Sequence, residues 1–127
     1  MTPQVPAVLG EMAQLLVRNA GPEVPPAERT NALGLAAAVL AVAAEVWDGA
    51  AENLVAENRA LAILLDDEAD ETSLRLSALR VENQRLRASL IEAQVAAEEA
   101  GDTTRQAAIW AELIASTERR KLSISPI

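Results

Sequence analysis

Residues 25–65, PPAERTNALGLAAAVLAVAAEVWDGAAENLVAENRALAILL, decide the fold. Pro25 and Pro26 suit a first helical turn, where the missing N–H has no partner to lose, and Glu28 adds a carboxylate at the positive end of the helix dipole. No further proline appears before Leu65. Alanine, the best helix former, fills much of the span, and Gly34 and Gly49 weaken it by about 1 kcal/mol each relative to alanine. The stretch predicts one helix of about ten turns.

That helix carries two apolar stripes. Leu33, Ala37, Leu40, Ala44, Trp47, Ala51, Leu54, Asn58, Leu61 and Leu65 recur at alternating spacings of four and three, which is a heptad seam. Leu35, Val42, Gly49, Ala56 and Ile63 recur every seven residues on the far side. A helix that is apolar on opposite faces has to be covered on both. The run Ala32–Ala44 is apolar all round, yet it is shorter than a bilayer span, and Glu45 and Asp48 follow at once. The expectation is a buried central helix with Trp47 on its inner seam, rather than a membrane segment.

At 127 residues the chain reads as a single helical domain, 1–127, long enough for a real core. It holds no Cys, His, Tyr or Phe and two Trp, so that core has to be built from Leu, Val, Ile and Ala. The absence of cysteine excludes a disulfide framework and a thiolate metal site, and fits a reducing compartment. The opening MTPQVPAVLGEM has no basic region followed by a long apolar run, so the expected location is cytoplasmic. The net charge of -8 is uneven: residues 45–71 hold nine acids and one base, whereas residues 75–87 hold four Arg and one Glu. A nucleic-acid partner would need a basic face and stacking aromatics, and an anionic membrane would repel such a surface, so neither partner is expected.

The rest of the chain reads as three more helices. Val5, Val8, Leu9, Met12, Leu15 and Leu16 share one face of a first helix, about Val5–Asn19, with Thr2–Pro3 as its cap and first-turn proline. Gly21 and Pro22 are positioned to stop it, the glycine in a left-handed conformation. After Leu65 the acidic run DDEADETS reads as a solvated turn that supplies Asp70, Thr72 and Ser73 as candidate caps for a third helix, about Ser73–Ala100. Asp66, Glu68 and Asp70 have the alternate spacing of a calcium loop, but Glu71 stands where that loop needs glycine and Ser77 where it needs glutamate. Thr103 and Gln106 have capping-box spacing at the head of a fourth helix, about Thr104–Leu122, with Ile109, Trp110, Leu113 and Ile114 on one side.

The third helix also carries two stripes: Leu76, Leu79, Asn83, Leu86, Leu90, Ala93 and Ala97 on one side, and Leu74, Val81, Ala88 and Val95 on the other. Its inner stripe repeats a motif of the long helix. Leu54–Leu61 and Leu79–Leu86 both read L-x-x-E-N-x-x-L, twenty-five residues apart. A short turn between the helices implies an antiparallel hairpin, which brings Asn58 within about one layer of Asn83 and Arg59 close to Glu82. Buried asparagine at a seam costs stability unless its amide is bonded, and its best-attested role is to fix register or oligomeric state. Asn58, Asn83, Arg59 and Glu82 are therefore the candidate interhelical polar residues. The expected fold is an all-α, antiparallel four-helix bundle with one long central helix (about 25–65) and a long antiparallel partner (about 73–100).

Little in the sequence points to catalysis. Without His or Cys the commonest general base, thiol nucleophile and transition-metal ligands are missing, and the five glycines are scattered singly, so no phosphate loop exists. Glu68-x-x-Glu71 and Glu99-x-x-Asp102 resemble the paired acids of all-helical, magnesium-dependent nucleotide pyrophosphohydrolases. They lie at opposite ends of the third helix, roughly 40 Å apart at 1.5 Å per residue, too far to share metals. Glu45, Asp48 and Glu52 share one face and form a weaker candidate. No catalytic, cofactor or metal residue is assigned. The alternatives kept are that phosphohydrolase chemistry and a small apolar-ligand pocket inside the bundle, the latter disfavoured because alanine-rich seams leave little void.

Arg29-Thr-Asn-Ala-Leu at the head of an alanine-rich helix, then Glu45-x-Trp47-Asp48, then a C-terminal helix ending in Arg119-Arg-Lys-Leu122, together resemble a group of small uncharacterised bacterial all-helical proteins. Those proteins tend to be encoded beside aminoglycoside-phosphotransferase-like and acyl-CoA-dehydrogenase-like enzymes. The resemblance spans residues 8–122 and implies an accessory role without transferable catalytic residues. Two stripes per helix exceed what one neighbour covers, and exposed apolar faces of that extent mark association. The expected function is a non-catalytic homo-oligomeric interaction protein, companion to a metabolic enzyme, whose interface is Leu35, Val42, Gly49, Ala56 and Ile63 with Leu74, Val81, Ile91 and Val95.

Overall fold

The computed structural model describes residues 4–123, and among them the chain is all-α, without a strand. Four helices carry it: α1 (Val5–Leu15), α2 (Gly34–Leu65), α3 (Leu76–Ala100) and α4 (Thr103–Arg119). The proposed Thr2–Pro3 cap lies outside the described residues. Residue contacts gather into two compact units, residues 1–49 and 50–127, and the boundary falls inside α2.

In the first unit α1 runs past Leu15 into a π-helical turn, Leu16–Ala20, and a 3-10 turn, Gly21–Glu23. Gly21 is thus not the left-handed stop that the sequence suggested; among the described glycines a positive φ belongs to Gly101. Pro25 is extended, and an α turn (Pro26–Glu28) and a π turn (Arg29–Leu33) lead straight into α2. The Arg29 guanidinium ties this corner by donating to the Val24 carbonyl at 2.9 Å.

The helical run from Pro26 to Leu65 is, by length and composition, long and apolar enough to cross a membrane, with a mean hydropathy of 1.5 over its most apolar eighteen residues. The sequence led us to expect it buried throughout, and its N-terminal half is not. Between Gly34 and Gly49 one residue, Ala37, is buried, while Leu35, Val39, Val46 and Trp47 are exposed. Leu33, Leu40 and Ala44 of the inner seam are half-buried, and Trp47, expected in the core, is 52% exposed.

The second unit holds the core: Leu61, Ala62, Leu86, Leu90 and Ile109 are buried together, with Leu64, Leu65, Ala69, Ala93 and Leu113 packed against them. This clustering determines how the helices run. In a hairpin that faced Asn58 with Leu79 or Leu86, Leu90 would lie two turns or more down α2 from Leu61. It packs with Leu61 instead, and Asn83 bonds Asn58. Equivalent positions of the two L-x-x-E-N-x-x-L motifs therefore share layers, and this half of α2 runs parallel to α3, not antiparallel as the short-turn reading implied.

Parallel pairing needs a return path, and the acidic run supplies it. Asp66 leaves α2 with a left-handed φ of 54°, and residues 67–75 form no helix. They run back along the pair. The Asp70 N–H donates to Glu82 at 3.0 Å, Arg59 bonds Glu71, and Leu74 reaches a depression shared with Ala51 and Val55. Ten extended residues reach about 33 Å, more than the roughly 21 Å that fourteen helical residues climb. None of Asp70, Thr72 and Ser73 is the cap of α3: Arg75 occupies that position without a side-chain cap bond. Asp70 instead accepts from the Thr72 N–H at 2.9 Å within the return segment.

The next connection is short. Gly101, at φ 66°, donates its N–H to the Glu98 carbonyl, and Asp102 N–H reaches back to Ala97, so the last carbonyls of α3 are satisfied. Asp102, rather than Thr103, caps α4 by accepting from the Arg105 N–H at 2.9 Å. Gln106, expected to complete a capping box, instead donates to the Ala97 carbonyl at 3.1 Å. Helix α4 then returns along α3, with Ser116 beside Arg87. Its inner residues are Ile109, Leu113 and Ser116; Trp110 and Ile114, read as inward-facing, are exposed. A Cβ at Gly101 would meet nothing within 4 Å. Gly101→Ala should therefore carry only the left-handed backbone penalty, about 1 kcal/mol, and calorimetry should show it as a fall in Tm of about 4 °C or more.

Candidate functional site

The two asparagines expected at the seam are both buried there. Asn58 is 1% and Asn83 7% exposed. Asn83 Nδ2 donates to Asn58 Oδ1 at 2.9 Å and to Glu57 Oε1 at 3.0 Å, and Asn58 Nδ2 donates to the Leu79 carbonyl at 3.1 Å. Each amide meets a complementary group, so this polar layer keeps its hydrogen bonds on burial. A parallel pair that slipped by one heptad would set each asparagine against leucine or alanine and leave both amides unpaired, which is how such a layer holds register.

Beside it lies a carboxylate that the sequence reading passed over. Glu57 is 2% exposed. Its Oε1 accepts from Arg87 Nε and Arg120 Nη2, both at 2.8 Å, and its Oε2 accepts from Arg120 Nη2 at 2.8 Å and Ser116 Oγ at 3.2 Å. Burial pushes this carboxyl up, and the hydrogen bonds from Asn83, Arg87 and Arg120 more than reverse that, holding it at about 2. Glu57 thus joins α2 to α3 through Arg87 and to α4 through Ser116 and the arginine that follows it.

Glu82, the matching glutamate of the second motif, has a different task. It is buried, accepts from Arg85 Nε at 2.9 Å and from the Asp70 N–H, and through Arg85 is linked to Asp67 at 2.7 Å. The hydrogen bond from Arg85 holds its carboxyl below the usual range. Arg59 does not pair with Glu82, as the hairpin suggested, but with Glu71 at 2.5 Å, because the return segment lies between them. Arg59, Glu82 and Arg85 together fasten that segment to the helix pair.

The chemistry open to this cluster is narrow. A general base needs a free lone pair and a pKa near the working pH, and Glu57 has all its strong acceptor positions filled and a pKa far below. Among the described residues no group of three or more Asp or Glu is placed to hold a metal ion. The concave places are open to solvent. One, of about 530 Å³, is lined by Ala51, Val55, Ala56 and Leu74 with Glu52, Arg59 and Glu71. The cluster is a lock between helices.

The predicted interface residues fall mostly on the outside. Leu35, Ile63, Leu74, Val81, Ile91 and Val95 are exposed, Ile63 to 78%. Ala56 is exposed, while Val42 and Gly49 are half-buried. On α3, Val81, Ala88, Ile91 and Val95 line the face opposite Leu79, Leu86 and Leu90. The residues missed, Glu57, Arg87, Ser116 and Arg120, carried a partial signal. Glu57 is fixed in the repeated motif, and Ile109, Leu113, Ser116 and Arg120 follow the heptad spacing of a third seam.

The lock predicts a specific acid response. Glu57 has a folded-state pKa of about 2, below its ordinary 4.5, so its contribution is complete above pH 4.5 and is lost as pH falls towards 2. Glu57→Gln should cost about 2–3 kcal/mol at pH 7, and the gap in Tm between the native chain and the variant should close between those two pH values. A gap unchanged down to pH 2.5 would refute the assignment. No family model, curated protein or solved structure matches this chain.

Proposed function

We propose that this chain is a self-associating helical interaction module, non-catalytic in itself and a companion to a metabolic enzyme. The observation that carries the reading is the uncovered face of α2 in the first unit. Leu35, Val39, Val42 and Val46 follow one another at spacings of four, three and four, and all but the half-buried Val42 are exposed. That is a heptad seam that the described residues leave largely uncovered. Val5, Val8, Met12 and Leu15 of α1 are exposed as well, and the buried residues of this unit are Ala13 and Ala37 among those described. So thin a core stabilises a helical pair poorly, and covering the seam with a second copy supplies the missing burial at about 25 cal/mol per Å². The resemblance to small helical proteins encoded beside metabolic enzymes supports the companion role.

Light scattering on a sizing column, without detergent and across a concentration series, tests the reading. A stable dimer or larger assembly is expected. Val42→Glu should dissociate it, since a carboxylate at the centre of an apolar seam has no partner there. A monomer at every concentration would overturn self-association. Recovery of the chain only in detergent would favour the second reading that the length and hydropathy of Pro26–Leu65 allow, a membrane span.

A further inference from the structure

We propose that two copies pair through the outer face of α3, antiparallel, about a twofold axis near Ala88; this rests on the self-association just proposed and specifies one of its contacts. The face carries a row of apolar side chains, Val81 67%, Ile91 66% and Val95 48% exposed with the exposed Ala88 between them, interrupted by the exposed Gln84 and ending at Glu99. Its flanks are bipolar. Arg80 and Arg85 border the N-terminal half, and Glu92 and Glu98 border the C-terminal half.

Helical geometry decides which orientation those charges allow. At 100° per residue, Arg80 and Glu98 lie on one flank of the stripe, and Arg85 and Glu92 on the other. In an antiparallel pair each flank meets the same flank of its partner, run in the opposite direction. Arg80 then faces Glu98 of the second copy and Ala88 packs against Ile91, with both symmetric halves satisfied at once, while Arg85 stays with Glu82 and Asp67 of its own chain. A parallel pair would set each flank against the other, bringing Arg80 towards Arg85 and Glu98 towards Glu92 of the second copy, like charge to like. Within the chain Arg80 and Glu92 have no hydrogen bond or ion pair among the described residues, and Glu98 is met only by the neutral Gln94 amide. These charges are uncompensated until a second copy arrives.

The chain has no cysteine, so a single introduced thiol reports one contact. Ala88→Cys and Ser77→Cys place thiols on the same exposed face, one beside the axis and one about 18 Å along the helix from it. Under mild oxidation Ala88→Cys should cross-link nearly completely. Ser77→Cys should stay unlinked, because its two copies lie about 36 Å apart in the antiparallel pair. Linking at both positions would overturn the antiparallel orientation. A dimeric mass with no linking at Ala88→Cys would overturn this interface and leave self-association standing, whereas a monomeric mass would remove both. As an independent measure, Arg80→Glu and Glu98→Arg should each weaken the dimer about tenfold, and the two together should restore it, since the reversed charges again face each other. A double variant as weak as the singles would refute the pairing.

Discussion

One hydrogen bond sets the terms for the second unit: the amide of Asn83 on the carbonyl of Asn58, deep between two leucine layers. Two helices of alternating leucine and alanine can slide past one another by a heptad at little cost in buried area. They cannot slide past a buried amide without stranding its donors in an apolar layer, at a cost of about 1–3 kcal/mol for each unmet group. Register is therefore held by polarity, and the leucines above and below supply the energy. The neighbouring glutamates then use that fixed register. Glu57 gathers the last turn of α4, and Glu82 gathers the segment that returns from the end of α2 to the start of α3.

Much of this architecture is legible in the residues, and its direction is not. The long helix, the three that accompany it and the two stripes on α2 and α3 all follow from periodicity and from proline and glycine positions. That Asn58 and Asn83 lie near one another follows from the repeat; that they bond directly does not, because the antiparallel registers face Asn58 with leucine. Whether two helices joined by ten residues run parallel or antiparallel does not follow, because a heptad seam is equally apolar either way. The acidic stretch Asp66–Glu71 reads as a turn on composition alone. What makes it an extended return path is a set of long-range bonds, Arg85 to Asp67 and Glu82 to the Asp70 N–H, that no local pattern announces.

The tryptophans show the same limit. Trp47 lies on the inner seam of α2, and Trp110 follows directly after the buried Ile109, yet both are more than half exposed. Periodicity locates a face; burial depends on whether anything stands opposite it. In the first unit little does, so a seam read as core is a surface within one chain. Glu57 shows the converse. An acid within a strongly acidic window reads as solvent-facing, but four hydrogen-bonding side chains from distant parts of the sequence make its burial favourable.

The two connections of the second unit differ in a way that orders its assembly. Helices α3 and α4 are joined through Gly101 and Asp102 alone, so their contacts are local and close at small entropic cost. The bonds from Glu57 to Ser116 and Arg120 span about half the chain, and the α2–α3 layers must wait for the return segment to find its course. Such contacts form late, on a hairpin already made. Interactions that arise after the rate-limiting step govern how slowly a protein comes apart rather than how fast it goes together. The carboxylate lock is then a brake on unfolding, a source of persistence for helices whose shared apolar core is small.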